Sequence, residues 1–434
     1  MRCGVVSLIV LAVNMASLFG GLSITEVAIA QDAQPDSMVL NLDDSEPVDN
    51  VVDRRMTVTV RDGDVAKGGP SFSVELWQGE CRLDLKLGSE DVNRRPSILE
   101  IIDGSHGRQA RCCAGGVEHL MYRKGESFEW EMTLQSRPLS NQLSFDIETC
   151  GLAFYRQDTL TQYAREILGA RRPDSVVGGW VAYHASKVND RIIVSDTQTT
   201  RQCYRTGQAF IIYRPRAWDR TDTVWCEMFI DTLAGELTLT LDPLWLDSAR
   251  YPITIDPTFG NSSIGASTLD WNENYAYCHI LSGINTYTVP AGKSASITAY
   301  SVYGSESGAG NLSVNMAAFD IVDGDPDSRV APASDVTVSG GTPGWFHSSS
   351  VDHPLQQGNE YGLAIGCAPR PGGIIYYNDV SLAAATDNVN CDLSSESWTQ
   401  TTQTAFNMSM YATYTEQTVA VDSPTRRRKL IQQQ

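Results

Sequence analysis

Four carboxylates lie close together in FEWEMTLQSRPLSNQLSFDIE, residues 128–148. Phe128, Trp130, Met132 and Leu134 alternate with Glu129 and Glu131, and Leu143, Phe145 and Ile147 alternate with Asp146 and Glu148. That period of two is the mark of strands with one apolar face. With SRPLSN as a hairpin turn, Leu134 faces Leu143, Met132 faces Phe145 and Trp130 faces Ile147, which sets Glu131 opposite Asp146 and Glu129 opposite Glu148. Acids so paired could serve as the two carboxyls of a glycosidase or hold a divalent cation. Arg82 and Lys86, on the polar face of CRLDLKL, supply countercharge, so the expectation is a solvated, charge-balanced face. A fifth acid, Asp256, ends YPITIDP between Pro252 and Pro257. Prolines at both ends suit an edge strand, and Asp256 reads as a boundary residue whose carboxylate caps a turn.

Metal ligands occur in two places. His106, Cys112, Cys113 and His119 make an H-x5-CC-x5-H pattern that zinc would accept, but adjacent cysteines are an uncommon ligand pair and export favours disulfides. A surface loop is the expectation there. FDIVDGDPDSR gathers Asp320, Asp323, Asp325 and Asp327, an oxygen-rich stretch that could take calcium. It fails the EF-hand template, with Ser328 where glycine belongs and no closing Glu. No cofactor is assigned: a polar turn is the expected reading, and calcium is the alternative.

Aromatic side chains offer a different chemistry. Trp271, Trp345, Tyr376, Tyr377 and Trp398, with Tyr275 and Tyr277, could present flat rings to sugar faces, although rings in a sandwich also serve as core. Nucleophile and phosphate signatures are missing: there is no G-x-S-x-G, H-E-x-x-H, G-x-x-x-x-G-K or helix-opening dinucleotide fingerprint. No catalytic residue is assigned.

The elements that must position these groups follow from the rest of the chain. It has 434 residues, 42% of them hydrophobic, enough for two to three domains. A net charge of −19 excludes a phosphate-tracking nucleic-acid surface. MRC, the apolar run Val5 to Leu22 and the small-x-small Ala28-Ile29-Ala30 read as an export signal over residues 1–30, with no membrane span after its cleavage. The expected location is secreted or cell-surface. Nine cysteines remain, an odd number, and Cys367 and Cys391 are the expected disulfide because only a short strand separates them.

Residues 31–55 are acidic and aperiodic and read as a linker. Residues 56–257 form a strand-dominated domain with one helix, DTLTQYAREILGARRP, whose Leu160, Tyr163, Ala164, Ile167 and Leu168 make an apolar stripe. Residues 258–415 turn rich in Ser, Thr, Gly and Asn, with short, evenly spaced strands and no helical period. They predict an antiparallel, jelly-roll-like β-sandwich, so the fold class is mainly β. Residues 416–434 read as a disordered basic tail.

The stretch from Phe128 to Gly260 resembles a block recurring in uncharacterised proteins of tailed bacteriophages, prophages and environmental bacteria. The likeness is carried by FEWEMTLQSRPLSNQLSFDIETCGLAFYRQDTLT, RRPDSVVGGWVAYHASK, YRTGQAFIIYRP and YPITIDPTFG. GWFHSSSVDHPLQQGNEYGLAI and the terminal MYATYT are similar to the extracellular β-sandwich that follows the block in such proteins. The resemblance implies a virion-associated or surface structural protein and carries over no catalytic residues. The expectation is an exported, non-catalytic structural or adhesive protein whose partners are glycans or other surface or virion proteins, with a carbohydrate-binding module as the alternative and a glycoside-active enzyme third. Similar sequences often carry a Lys and a His where this chain has Gln208 and Ile211, which speaks against acid–base chemistry in TGQAFIIYRP.

Overall fold

The computed structural model describes residues 37–42, 49–62, 70–87, 99–114, 116–260, 262–271, 276–306, 311–366, 373–380, 385–388, 393, 397–398 and 400–419. The expected signal segment lies outside them, as do Cys367 and Cys391. The protein is mainly β, as the alternation predicts. Among the described residues the strands form one seven-stranded sheet, two of eleven strands and one of eight, nearly all their pairings antiparallel.

A first body packs the seven-stranded sheet against one eleven-stranded sheet. Phe72, Phe128, Trp130, Phe145 and Phe259 fill the space between them; Trp130 meets Phe145 edge-on at 4.9 Å and Phe72 at 5.3 Å. Buried rings of this size dominate such a core.

The expected hairpin is not formed. Ser127–Leu134 pairs with Val117–Lys124, Ile253–Asp256 and Thr258–Gly260, whereas Gln142–Cys150 pairs with Cys81–Lys86 and Glu236–Thr240 in the opposing sheet. The apolar faces were read correctly, since Phe128, Trp130 and Met132 and their counterparts Phe145 and Ile147 are all buried. Alternation tells which side of a strand is dry; it does not tell which strand lies beside it. Glu129 and Glu131 therefore sit on one outer surface and Asp146 and Glu148 on the other. There Glu148 is set opposite Asp84, which Arg82 bridges at 2.7 Å.

Three further expectations are corrected. The acidic linker contains strands: Ser37–Asn41 pairs with Thr57–Arg61, burying Met38 and Leu40, and Val51–Val52 runs parallel to Thr199–Cys203. Ile253–Asp256 is interior rather than edge, flanked by Ser127–Leu134 and Arg216–Trp218. Its prolines lie outside the paired residues and leave the ladder intact. The helix is short, Gln162–Glu166, opened by Thr161 whose Oγ1 accepts the Ala164 N–H at 3.1 Å. Leu160, Ala164 and Leu168 are buried while Tyr163 and Ile167 are exposed. A second helix, Pro243–Ser248, has an Asp242 cap and proline in its first turn.

The second body is a sandwich of the other eleven-stranded sheet and the eight-stranded sheet. Ile297, Val302, Tyr377 and Tyr414 of one meet Leu312, Val314, Met316 and Ile365 of the other. No helix lies among its described residues. Met410–Thr418 is a strand, so the structured chain runs beyond residue 415 and Glu416 is buried.

The two bodies interlock. Thr258–Gly260 ends the first sheet system and Ser267–Asp270 begins the second, yet Asp190–Val194 runs parallel to Met410–Thr418 and Ala170–Arg171 pairs with Ser267–Asp270. Buried Asn378 donates to Gln208 Oε1 at 2.8 Å and Tyr183 OH at 3.2 Å, and its Oδ1 accepts the Ala266 N–H at 2.8 Å. Arg172 bridges Asp379 at 2.9 Å in the same seam. The Asn378 hydrogen bonds tie the two bodies together across the seam. Gln208 thus has a role in the seam.

Candidate functional site

Two of the expected sugar-facing rings meet on one surface. Tyr303 lies in Lys293–Glu306, opposite Trp345 of Gly344–His347, and Tyr376 lies in the neighbouring strand Gly373–Asp379. Ring centroids are 5.4 Å apart for Tyr303 and Trp345, 5.0 Å for Tyr303 and Tyr376, and 5.0 Å for Trp345 and Tyr411. All three contacts are edge-to-face, the favoured geometry of aromatic pairs. Tyr303, Trp345 and Tyr376 are half-buried. Beside them Ser301 Oγ and His347 Nδ1 are 2.8 Å apart. Because successive strand residues point to opposite faces, this row is the solvent side of a sheet whose inner side carries Val302, Ile375 and Tyr377. Tyr303 and Tyr411 were not singled out in the sequence, although SVY and MYATY place them at the outward positions.

The other expected rings are elsewhere. Tyr377 is fully buried with its ring 4.3 Å from Phe406, and Trp271 is buried against Tyr277 at 6.0 Å. Trp398 packs on Phe319 at 5.2 Å, over the outside of the eight-stranded sheet. Core packing claimed these three, since a one-residue step from Tyr376 to Tyr377 reverses the face.

A second constellation forms on the first body's outer surface. Glu129, Glu131 and Asp256 converge there, joined by Tyr122 and Thr258. Tyr122 OH donates to Glu131 Oε1 at 2.5 Å, Thr258 Oγ1 donates to Glu129 Oε2 at 2.6 Å, and Lys124 Nζ lies 3.5 Å from Glu129 Oε1. His106 stacks on Tyr122 at 4.4 Å. Burial, and then the charge and hydrogen bond of Glu129, push the Asp256 carboxyl up to about 7. Asp256 is therefore no turn cap but a carboxyl packed beside Glu129. In hydrogen-bond contact, the two sit closer than the roughly 5 to 9.5 Å that separate glycosidase acids.

Glu80 holds a third cluster. Its carboxylate accepts from Lys187 Nζ at 2.7 Å and Tyr204 OH at 3.0 Å, and His184 Nε2 is 3.2 Å away. The Ser186 N–H reaches His184 Nδ1 at 3.2 Å, so neutral His184 carries its proton on Nε2 and has no free nitrogen for a nucleophile.

The expected surface loop at residues 106–119 is instead a strand pair, Gly107–Ala114 and Val117–Lys124. Cys112 and His119 face the core while Cys113 points out, and His119 Nδ1 accepts from Trp130 Nε1 at 3.1 Å. Burial pulls the His119 imidazole down to about 4. The four-ligand zinc pattern is thus split between two faces of a strand pair. The calcium stretch is a hairpin: Asn311–Val322 and Asp325–Arg329 are joined by Asp323 and Gly324, with φ of +52° and +86°. Asp-Gly is a strong two-residue turn signal. Asp320 accepts from Ser328 Oγ at 3.1 Å and Asn359 Nδ2 at 3.2 Å, while Asp325 and Asp327 are exposed along the second strand. Among the described residues no group of three or more His, Cys, Asp or Glu is placed to hold a metal ion, and no helix is long and apolar enough to cross a membrane.

No protein-family model matches the chain, and no curated protein does. Among solved structures, an exo-beta-1,3-galactanase from Phanerochaete chrysosporium is 10% identical over 70% of this chain and 78% of that one, with a TM-score of 0.13. A GH31 alpha-xylosidase from Xanthomonas citri is 10% identical over 83% of this chain and 36% of that one, with a TM-score of 0.12. Likenesses this loose leave the function to the chain's own geometry.

Proposed function

We propose that the chain is an exported, non-catalytic adhesive surface protein, and that it adheres by laying a glycan on the Tyr303–Trp345–Tyr376 face. One observation carries this: three half-buried rings from three adjacent strands stand on the solvent side of a sheet that already has a full core on its other side. A contiguous aromatic patch without a core to fill marks an interaction surface. Each ring offers apolar area to the C–H face of a sugar, and exposed His347, whose Nδ1 bonds buried Ser301, offers Nε2 to a sugar hydroxyl at its border. The closeness of Glu129 and Asp256 supports a non-catalytic role, because it leaves no separated acid and nucleophile. The signal-like N-terminus and the likeness to phage and bacterial surface proteins agree with an extracytoplasmic setting.

Glycan-array screening followed by titration of the best hit tests the proposal. Trp345→Ala should weaken that binding by about tenfold or more, while the unfolding midpoint barely moves. Absence of any glycan ligand, or a hit indifferent to both Trp345→Ala and Tyr303→Ala, overturns it.

A further inference from the structure

We propose that the glycan is polyanionic, a chain carrying uronate carboxylates or sulfate esters, because the aromatic row ends against a cationic rim of Arg201 and Arg205. This rests on the glycan reading of the same face.

Register places the rim. In the sheet that carries the rings, Lys293–Glu306, Met410–Thr418, Asp190–Val194 and Thr199–Cys203 are successive neighbours. Tyr411 touches Trp345, and two residues along the same face Thr413 pairs with Asp190, which in turn pairs with Cys203. Arg201 is two residues from Cys203 and shares its face. Arg205 follows in the turn, with φ of +50° and its Nη1 3.4 Å from Ser263 Oγ. Asp190 lies within electrostatic reach of Arg205, Arg201 and His347, and Tyr411 within reach of Asp190 and Arg205. His347 sits across the strand from Ser301, beside the ring row.

The rim is not neutralised from within. Arg201 and Arg205 are exposed, and neither forms an ion pair among the described residues. Asp190 is buried and its Oδ1 accepts the Arg205 backbone N–H at 3.0 Å, a bond to the main chain that leaves the Arg205 guanidinium facing outward. Asp53, the other acid near Cys203, is engaged by Arg55 at 2.8 Å. In a chain with 52 acidic and 33 basic residues, two arginines without an ion pair among the described residues, beside half-buried rings, are an unexpected local excess of positive charge. Guanidinium groups match carboxylate and sulfate oxygens in a planar fork, while the rings take the sugar faces between the charges.

The test is binding of the full chain to polygalacturonate, dextran sulfate and a neutral galactan, at about 0.05 M and about 0.5 M salt, where screening removes exposed charge contacts. We expect the polyanions to bind roughly tenfold more tightly than the galactan at low salt, and that preference to shrink at high salt. The carboxylate and sulfate arms tell which anion is taken. Arg201→Ala/Arg205→Ala should abolish the preference and leave galactan binding intact, and Arg201→Lys/Arg205→Lys should restore part of it, separating charge from misfolding. Equal binding of neutral and charged chains overturns the inference and leaves the aromatic face standing. Polyanion binding that survives Trp345→Ala overturns it as well, as unspecific attraction. No binding to any of the three overturns both readings.

Discussion

The outer surface at Glu129, Glu131 and Asp256 and the outer surface at Tyr303, Trp345 and Tyr376 are built alike and used differently. Both are rows of side chains on the outward face of a sheet whose inner side is packed. On the first, the acids are tied to their neighbours: Tyr122 donates to Glu131, Thr258 donates to buried Glu129, and Asp256 packs beside Glu129. On the second, the rings touch one another only edge to face and stay half-buried. Residue types that suggest reactivity are thus tied up in structure, and residue types that suggest core are left facing outward. Changes on the acid face should therefore register as stability, and changes on the aromatic face as binding.

The largest expected effect on this contrast is a pH dependence centred on Asp256. Its carboxyl titrates at about 7 in the folded protein against 3.8 for the ordinary group. The folded state thus holds this proton more tightly than the unfolded state does. The stabilisation is complete below the unfolded value near pH 4, declines as pH rises, and is gone once pH passes about 7. Its full size is of the order of a few kcal/mol. Asp256→Asn keeps a hydrogen-bond donor toward Glu129 without the titration, so it should unfold at higher denaturant than the parent at pH 9 and lose this part of the slope between pH 5 and 7. Matching slopes in parent and variant would remove Asp256 from the account.

How much of this was readable in the sequence depends on the range over which each signal acts. Strand faces are local, and Phe128, Trp130, Met132, Phe145 and Ile147 all point inward as alternation said. Pairing is not local: SRPLSN has the composition of a hairpin turn, yet it carries the chain from one sheet to the other, and nothing in its residues encodes that choice. The acid trio was illegible for the same reason, since Glu129 and Asp256 are far apart in the chain and meet only through strand order. The polar turn in FDIVDGDPDSR is legible because Asp323-Gly324 is a local signal, and it forms there. The aromatic face was half legible: Trp345 and Tyr376 were named, but Tyr377 beside them faces the opposite way, and only the register of Gly373–Asp379 separates the two.

A smaller effect separates the surfaces in the other direction. Tyr122→Phe removes the hydroxyl that donates to Glu131 and keeps the ring that stacks on His106. It should cost about 1 kcal/mol in equilibrium denaturation, because a charged acceptor loses one donor and half-exposed Glu131 can turn to water instead. Glycan affinity should not change. A variant that weakens binding would show that the acid face communicates with the aromatic one across the interlocked seam.

The smallest effect is the stability change of Trp345→Ala, and it is the most discriminating. A ring that supported the fold would cost about 3 to 5 kcal/mol on truncation to Ala, the range for buried large aromatics. Trp345 is half-buried and meets Tyr303 and Tyr411 edge to face, contacts worth about 0.5 to 1.5 kcal/mol each at most. Part of that is recovered when the loosened tyrosines are solvated, so a net loss near 1 kcal/mol is expected from chemical denaturation. The same truncation at Trp130, which lies between Phe72 and Phe145 in the first core, should show the full range. If the two tryptophans cost the same, the outward row is a structural layer awaiting no ligand, and the contrast between the two surfaces collapses.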